Sequence, residues 1–176
     1  MRNILILYST TDGHTLKICE RIENKLNKSI KVNLKPIEDC SKGDLKYNDL
    51  IIIGASIRYG KHKPNVKEFF EHNLQILNNK KVAFFTVNVV ARKPNKNTPE
   101  TNPYLLKFLN TVSFNPDIID VFAGKLNYPN YNFLDKHVIR LIMFITKGPT
   151  DISQSYEFTD WERVENFSHK ILKLIN

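Results

Sequence analysis

Short, continuously apolar runs alternate along this chain with stretches whose apolar residues recur every three or four positions. Residues 2–8 end in such a run, as a buried strand does, and Leu16, Cys19, Ile22 and Leu26 follow at helical spacing. Residues 31–37 alternate in the manner of a half-buried strand. Residues 50–55, LIIIGA, are almost wholly apolar, which suits a central parallel strand covered on both faces. Pro64 fits the first turn of a helix bearing Val66, Phe69, Phe70 and Leu74, because an N–H there has no helical partner to lose. Residues 82–87 predict a fourth strand, Pro103 opens a helix with Leu105, Leu106, Phe108 and Leu109, and residues 118–123 predict a fifth strand. The sequence TDWE at 159–162 has the form of a capping box ahead of a last helix with Val164, Phe167, Ile171, Leu172 and Ile175.

Strand and helix in strict alternation predict an α/β fold, a doubly wound parallel sheet with right-handed crossovers. No repeat, linker or low-complexity tract divides the chain, so residues 1–176 read as one domain, long enough to bury a core without disulfides. One segment departs from the alternation. About 35 residues, 125–159, separate the fifth strand from the last helix, and segments that long usually carry function or stay disordered. Within it, residues 134–147 predict a helix with Leu134, Val138, Leu141, Ile142 and Ile145 on one face and Lys136, Arg140 and Lys147 on another. Ile139, Met143 and Phe144 widen the apolar arc beyond what packing on one sheet face uses. A membrane surface, an apolar ligand pocket, a subunit interface or burial within the domain would each absorb the excess.

Lys and Arg number 26 against 18 Asp and Glu, a net charge of +8 that favours anionic partners. No basic face interleaved with aromatics and no recognisable binding motif accompanies that charge, so nucleic acid is not an expected partner. Cys19 and Cys40 show no metal-ligand or redox spacing, and a reduced, cytoplasmic chain is the plain inference. Cys19 falls on the first helical stripe as a small core residue. The apolar run near the N-terminus is too brief for a signal-peptide core, and nothing reaches the ~20 apolar residues of a spanning helix.

Between the first strand and the first helix stand Ser9, Thr10, Thr11, Asp12, Gly13, His14 and Thr15. Ligands of doubly wound sheets sit beyond the carboxyl ends of the strands. A loop so rich in donors, placed there and followed by a helix N-terminus, suits a phosphate. It holds no Lys and no P-loop signature, and GxGxxG is absent, which disfavours nucleoside triphosphates and dinucleotides. A single phosphate held by neutral donors suits flavin mononucleotide (FMN); a polar turn that caps the helix through Thr11 or Thr15 is the plainer alternative. Two more loops at the same edge favour the flavin: Ser56, Ile57, Arg58, Tyr59 and Gly60 after the third strand, and Asn88, Val89, Val90, Ala91 and Arg92 after the fourth. They offer an aromatic wall, small residues and backbone N–H groups to a flat ring system.

Taken together, YSTTDGHT, IGASIRYGKHK, VNVVARKPNKNTPETNPY and TDWERVENF resemble the flavodoxin-like protoporphyrinogen IX dehydrogenases that pass electrons to quinone, over essentially the whole chain. The first stretch alone would indicate only the flavodoxin superfamily; the second and third are more specific. The resemblance implies a flavodoxin-like five-stranded parallel sheet in the order 2-1-3-4-5, with helices on both faces and a long insertion after strand 5. It implies FMN as cofactor and oxidation of protoporphyrinogen IX in haem synthesis at the cytoplasmic face of the inner membrane, with menaquinone or ubiquinone as acceptor. The phosphate loop would be 9–15, and the flavin-flanking loops 56–60 and 88–92.

This substrate is an apolar macrocycle with two propionates, and a guanidinium pairs bidentately with a carboxylate, which makes Arg58 and Arg92 the candidates to hold it. Lys61 and Lys93 read as solvated charge. His14 and His62 lie near the expected site without a visible partner, and no catalytic base is named. Because the implied acceptor lives in the bilayer, segment 128–147 is expected to meet an anionic membrane surface, with Tyr128, Tyr131 and Phe133 at headgroup level. A diffusible flavodoxin-type electron carrier and an NAD(P)H:quinone reductase are the alternatives. Carriers of that kind are generally acidic, and no nicotinamide site is identifiable. The oligomeric state stays open.

Overall fold

The computed structural model describes residues 2–27 and 30–175; Met1 and Asn176, the end residues of the predicted domain, and Lys28 and Ser29 lie outside the described residues. Five strands, β1 (Asn3–Ser9), β2 (Lys31–Pro36), β3 (Leu50–Ser56), β4 (Lys81–Asn88) and β5 (Ile118–Ala123), form one parallel sheet in the order β2-β1-β3-β4-β5. The predicted strand order therefore holds. Its helices are α1 (His14–Leu26), α2 (Lys42–Tyr47), α3 (Pro64–Leu77), α4 (Pro103–Leu109) and, at the C-terminal end, α6 (Trp161–Ile175).

The two-residue period of the strands divides the core between two faces. Leu5, Leu7, Ile51, Ile53 and Phe84 pack on one side with Leu45, Phe70 and Leu105 from α2, α3 and α4. Ile4, Ile6, Ile52 and Phe85 pack on the other with Ile18 and Ile22 of α1 and Phe167 and Ile171 of α6. Phe85, Phe122 and Phe167 meet with ring centroids 5.2–5.6 Å apart and fasten α6 to β4 and β5. Cys19 is fully buried in this second core.

Several local expectations change. The short helix α2 has only Leu45 buried and so shows no apolar period; it is held by a Ser41–Asp44 capping box. The buried stripe of α1 is Thr15, Ile18, Cys19, Ile22 and Leu26, with Leu16 only half-buried. At the start of α6, Asp160 accepts from the Arg163 N–H and is the cap, instead of the Thr159–Glu162 box. The Thr159 hydroxyl is used elsewhere, as described below.

The insertion folds onto the carboxyl edge of the sheet. Strands β6 (Lys125–Asn127) and β7 (Ser155–Glu157) pair antiparallel, and helix α5 (Phe133–Ile145) lies between them in sequence. Leu126, Tyr128, Tyr131, Ile139 and Met143 form a third, smaller core. The inward side of α5 is therefore Ile139 and Met143, not the predicted face, while Leu134, Leu141, Phe144 and Ile145 are 59–74% exposed. A broad apolar arc does not specify which part is covered; the narrow surface opposite α5 admits only two of its residues. Tyr128 and Tyr131 are likewise inside, and of the predicted aromatic trio only Phe133 is exposed.

Candidate functional site

The first loop leaves β1 at Ser9 and enters α1 through Gly13, whose φ of +78° is a left-handed conformation that glycine adopts without strain. No side chain caps α1 and no acidic residue stands in its first turn, so its first N–H groups keep their capacity for an outside acceptor. Neither Thr11 nor Thr15 serves as the cap. The hydroxyl oxygens of Ser9, Thr10 and Thr15 are buried without a hydrogen-bond partner among the described residues. Each such group costs about 1–3 kcal/mol of desolvation, and an oxyanion at the helix N-terminus would recover it. Lys63 donates to the Thr10 carbonyl at 2.6 Å, which sets a cation beside a loop that contains none. The donor set fits a phosphate monoester such as that of FMN.

The second loop is a tight turn. Arg58 N–H donates to the Lys61 carbonyl at 3.0 Å and Lys61 N–H returns a bond to Arg58 at 3.1 Å. Tyr59 and Gly60 between them have φ of 51° and 76°, as a type I′ turn requires. This geometry aims two side chains at the insertion. The Tyr59 phenol donates to Asp135 of α5. Arg58 Nη1 donates to Asp12 Oδ1 at 2.9 Å, and its Nη2 lies 2.8 Å from Asp135 Oδ2. That second contact is off the N–H line, so Nη2 is buried and ion-paired without a directed hydrogen bond. The guanidinium also lies over the rings of Tyr131 and Tyr59, 5.2 and 5.6 Å from their centroids. Burial opposes its charge, but Asp12, then Tyr59 and Asp135, raise its pKa above the ordinary value. The Tyr59 pKa is raised by burial and by the bond to Asp135.

The third loop is organised by Asn88, whose side-chain oxygen accepts from the Ala91 N–H at 3.0 Å and from Asn102 at 3.4 Å. Its amide nitrogen is buried and has no hydrogen-bond partner among the described residues. Arg92 donates to the Val89 carbonyl and to the Thr146 carbonyl and hydroxyl, each at 3.1 Å. It thereby ties this loop to the end of α5.

These loops enclose a cavity of about 430 Å³. Thr10, Thr11, Asp12, His14 and Thr15 line it, as do Ser56, Ile57, Arg58, Tyr59 and Gly60, and Asn88, Val89 and Val90. Ser9, Gly13, Ala91 and Arg92 do not line it. The three predicted loops did not include Tyr104, Gly124, Lys125, Leu126, Tyr131, Ile139, Ile142 and Met143, which with Val87 complete the wall. Gly124 and Lys125 were findable, because they follow β5 at the same carboxyl edge as the other loops. Tyr131, Ile139 and Met143 come from the insertion, where the wide apolar arc allowed a ligand pocket among other partners for Ile139 and Met143 without choosing it.

The two histidines differ. His14 lines the cavity, and its Nε2 lies 2.6 Å from the Thr159 hydroxyl, which in turn donates to the Ala123 carbonyl at 2.8 Å. With the hydroxyl proton so placed, Nε2 carries the proton of the neutral ring and donates. Burial lowers the His14 pKa; Glu157 opposes this, and Lys17 and Lys125 reinforce it. His62 does not line the cavity; its Nδ1 donates to the Ser56 carbonyl at 3.0 Å, beneath the second loop. Burial lowers its pKa to about 4.

Residues 5–153 match the family described as Flavodoxin domain. The chain is 40% identical over 171 residues to the protoporphyrinogen IX dehydrogenase (quinone) of Escherichia coli strain K12, covering 97% of this chain and 94% of that protein. It is 42% identical over 166 residues to the Leishmania major protein of the same name, covering 93% of this chain and 72% of that one. Among solved structures, an archaeal flavodoxin aligns with a TM-score of 0.50 at 18% identity, over 86% of this chain and 99% of its own. The two-electron reduced flavodoxin of Megasphaera elsdenii aligns with a TM-score of 0.52 at 18% identity, over 67% of this chain and 84% of its own. At such identities the structural likeness speaks for the fold.

Proposed function

Because the chain belongs to the flavodoxin-domain family of protoporphyrinogen IX dehydrogenases (quinone), we propose that it oxidises protoporphyrinogen IX to protoporphyrin IX with FMN and passes the electrons to a membrane quinone, menaquinone or ubiquinone, in haem biosynthesis. The observation that carries this reading is the meeting, on one cavity, of the unpartnered Thr10 and Thr15 hydroxyls with an apolar wall of Leu126, Ile139, Ile142 and Met143. A phosphate and a flat apolar ring system are what such a pair of walls accepts.

When bound, FMN supplies two-electron hydride chemistry, taken through three successive rounds per substrate. The chain's own residues do the positioning. Thr10, Thr15 and the uncapped α1 N-terminus hold the phosphate; residues 56–60 and 88–90 flank the ring; Arg58 answers a propionate. His14 keeps its Nε2 proton on Thr159, neutral and fixed in orientation. Tyr104 and Tyr131 add apolar cover that limits water at the ring.

Access to quinone follows from α5. Its exposed Leu134, Leu141, Phe144 and Ile145, with Arg140 and Lys147 also exposed, would lie on the cytoplasmic face of an anionic inner membrane, each cation adding ~1 kcal/mol. Among the described residues no helix is long and apolar enough to cross a membrane, so the contact proposed is peripheral.

The test is anaerobic mixing of FMN-loaded protein with protoporphyrinogen IX. The expected result is bleaching of the oxidised flavin band, appearance of porphyrin fluorescence, and recovery of the band on adding quinone. A flavin that stays oxidised with porphyrinogen but is reduced by NAD(P)H or a partner reductase would refute the dehydrogenase in favour of a quinone reductase or an electron carrier.

A further inference from the structure

Arg58 is the guanidinium on the cavity wall, and two carboxylates of the chain already hold it. Asp12, Arg58 and Asp135 together carry a net negative charge, so a further carboxylate cannot simply add to the cluster. The two contacts are not equivalent. Nη1 makes a directed bond to Asp12, whereas Nη2 is buried beside Asp135 with its N–H misaligned. A carboxylate arriving in line with that N–H would gain a hydrogen bond that Asp135 does not make. The Asp135 carboxylate in turn keeps two other donors, the Tyr59 phenol and the Asn132 side-chain amide at 3.0 Å. Its position in the first turn of α5 also suits a negative charge. It can therefore leave Arg58 without being stranded.

We propose that Asp135 is an internal competitor for the substrate carboxylate: it occupies Arg58 in the free protein and is exchanged for a propionate when the substrate binds. This rests on the dehydrogenase reading above and deepens it by naming a specificity-determining residue on the insertion. The exchange couples recognition to geometry, because Asp135 stands in the first turn of α5, four residues before Ile139 of the cavity wall. A ligand without carboxylates leaves the Arg58–Asp135 pair in place and α5 pinned to the second loop. A ligand with them breaks the Arg58 tie to the start of α5 and leaves the Tyr59–Asp135 bond as its remaining tether to that loop.

The experiment is a fluorescence titration of FMN-loaded protein with protoporphyrin IX and, in parallel, with its dimethyl ester, in matched detergent. Asp135→Asn should tighten binding of the free acid by about three- to tenfold, since one directed charge-assisted bond no longer has a rival. Its affinity for the ester should not change. Arg58→Gln should weaken the free acid about tenfold or more, and adding Asp135→Asn to it should bring no gain, as coupled residues require. Asp135→Ser, a second neutral residue suited to a helix start, repeats the test independently. A wild-type protein that binds neither porphyrin overturns the functional reading and the exchange with it. Wild-type binding of the acid, with Asp135→Asn unchanged or weaker, overturns the exchange alone. An equal gain for acid and ester also overturns it, because that is a loosened insertion.

Discussion

Thr15→Val separates a hydroxyl kept for the fold from one kept for a ligand. Thr15 is 1% exposed, its Oγ1 has no partner among the described residues, and it stands two residues after the left-handed Gly13 at the start of α1. Valine has nearly the same volume and lacks only the hydroxyl. In the flavin-free protein that hydroxyl is a buried donor without an acceptor, a penalty of about 1–3 kcal/mol that valine removes. The flavin-free variant should therefore melt higher, by roughly 2–4 °C for each kcal/mol in a chain of this size. With FMN bound, the same hydroxyl would donate to a phosphate oxygen, and charge-assisted bonds are worth about 1.5–3 kcal/mol. The variant should lose about 10- to 150-fold in FMN affinity. Flavin-fluorescence titration and thermal unfolding of the flavin-free protein give the two numbers. Opposite signs are required. A variant that melts lower without flavin, or that keeps its FMN affinity, refutes the assignment of Thr15 to the phosphate.

Two further outcomes are expected. The His62 pKa is lowered to about 4 by burial, against an ordinary value of 6.5, so the unfolded chain binds the proton first and stability is lost as pH falls from about 6.5 to 4. This histidine contributes at most about 3 kcal/mol to that loss. His62→Gln should flatten the difference in urea midpoint over that window; parallel curves would show that the ring does not stay neutral beneath the second loop. On α5, Phe144→Asp with Ile145→Asp should abolish sedimentation with anionic vesicles and change stability by no more than about 0.5 kcal/mol per site, because both side chains are exposed. Undiminished vesicle binding would remove the membrane contact, and a large loss of stability would mean that another surface covers this face.

Much of this protein is decided locally. The sheet and its two cores follow from periods of two and about 3.6 that residues 2–8, 50–55 and 161–175 display within a few turns of chain. The loops after β1, β3 and β4 were readable as one site because parallel strands place their carboxyl ends on one edge, whatever lies between them. The family motifs added a cofactor and a substrate as expectations, tied to the same loops.

Tertiary structure alone decided what meets those loops. Periodicity showed that α5 is apolar over a wide arc, but the surface opposite selected Ile139 and Met143 and left Phe144 and Ile145 outside. The Thr159 hydroxyl looked like a helix cap, and the proximity of His14 drew it away, leaving the cap to Asp160. Arg58 could be named from sequence as a candidate to hold a substrate carboxylate, but not that Asp12 and Asp135 of the chain itself already hold it. Spacing along a chain encodes which side of an element is apolar; it does not encode which distant side chain will stand opposite, because that depends on how separate elements dock.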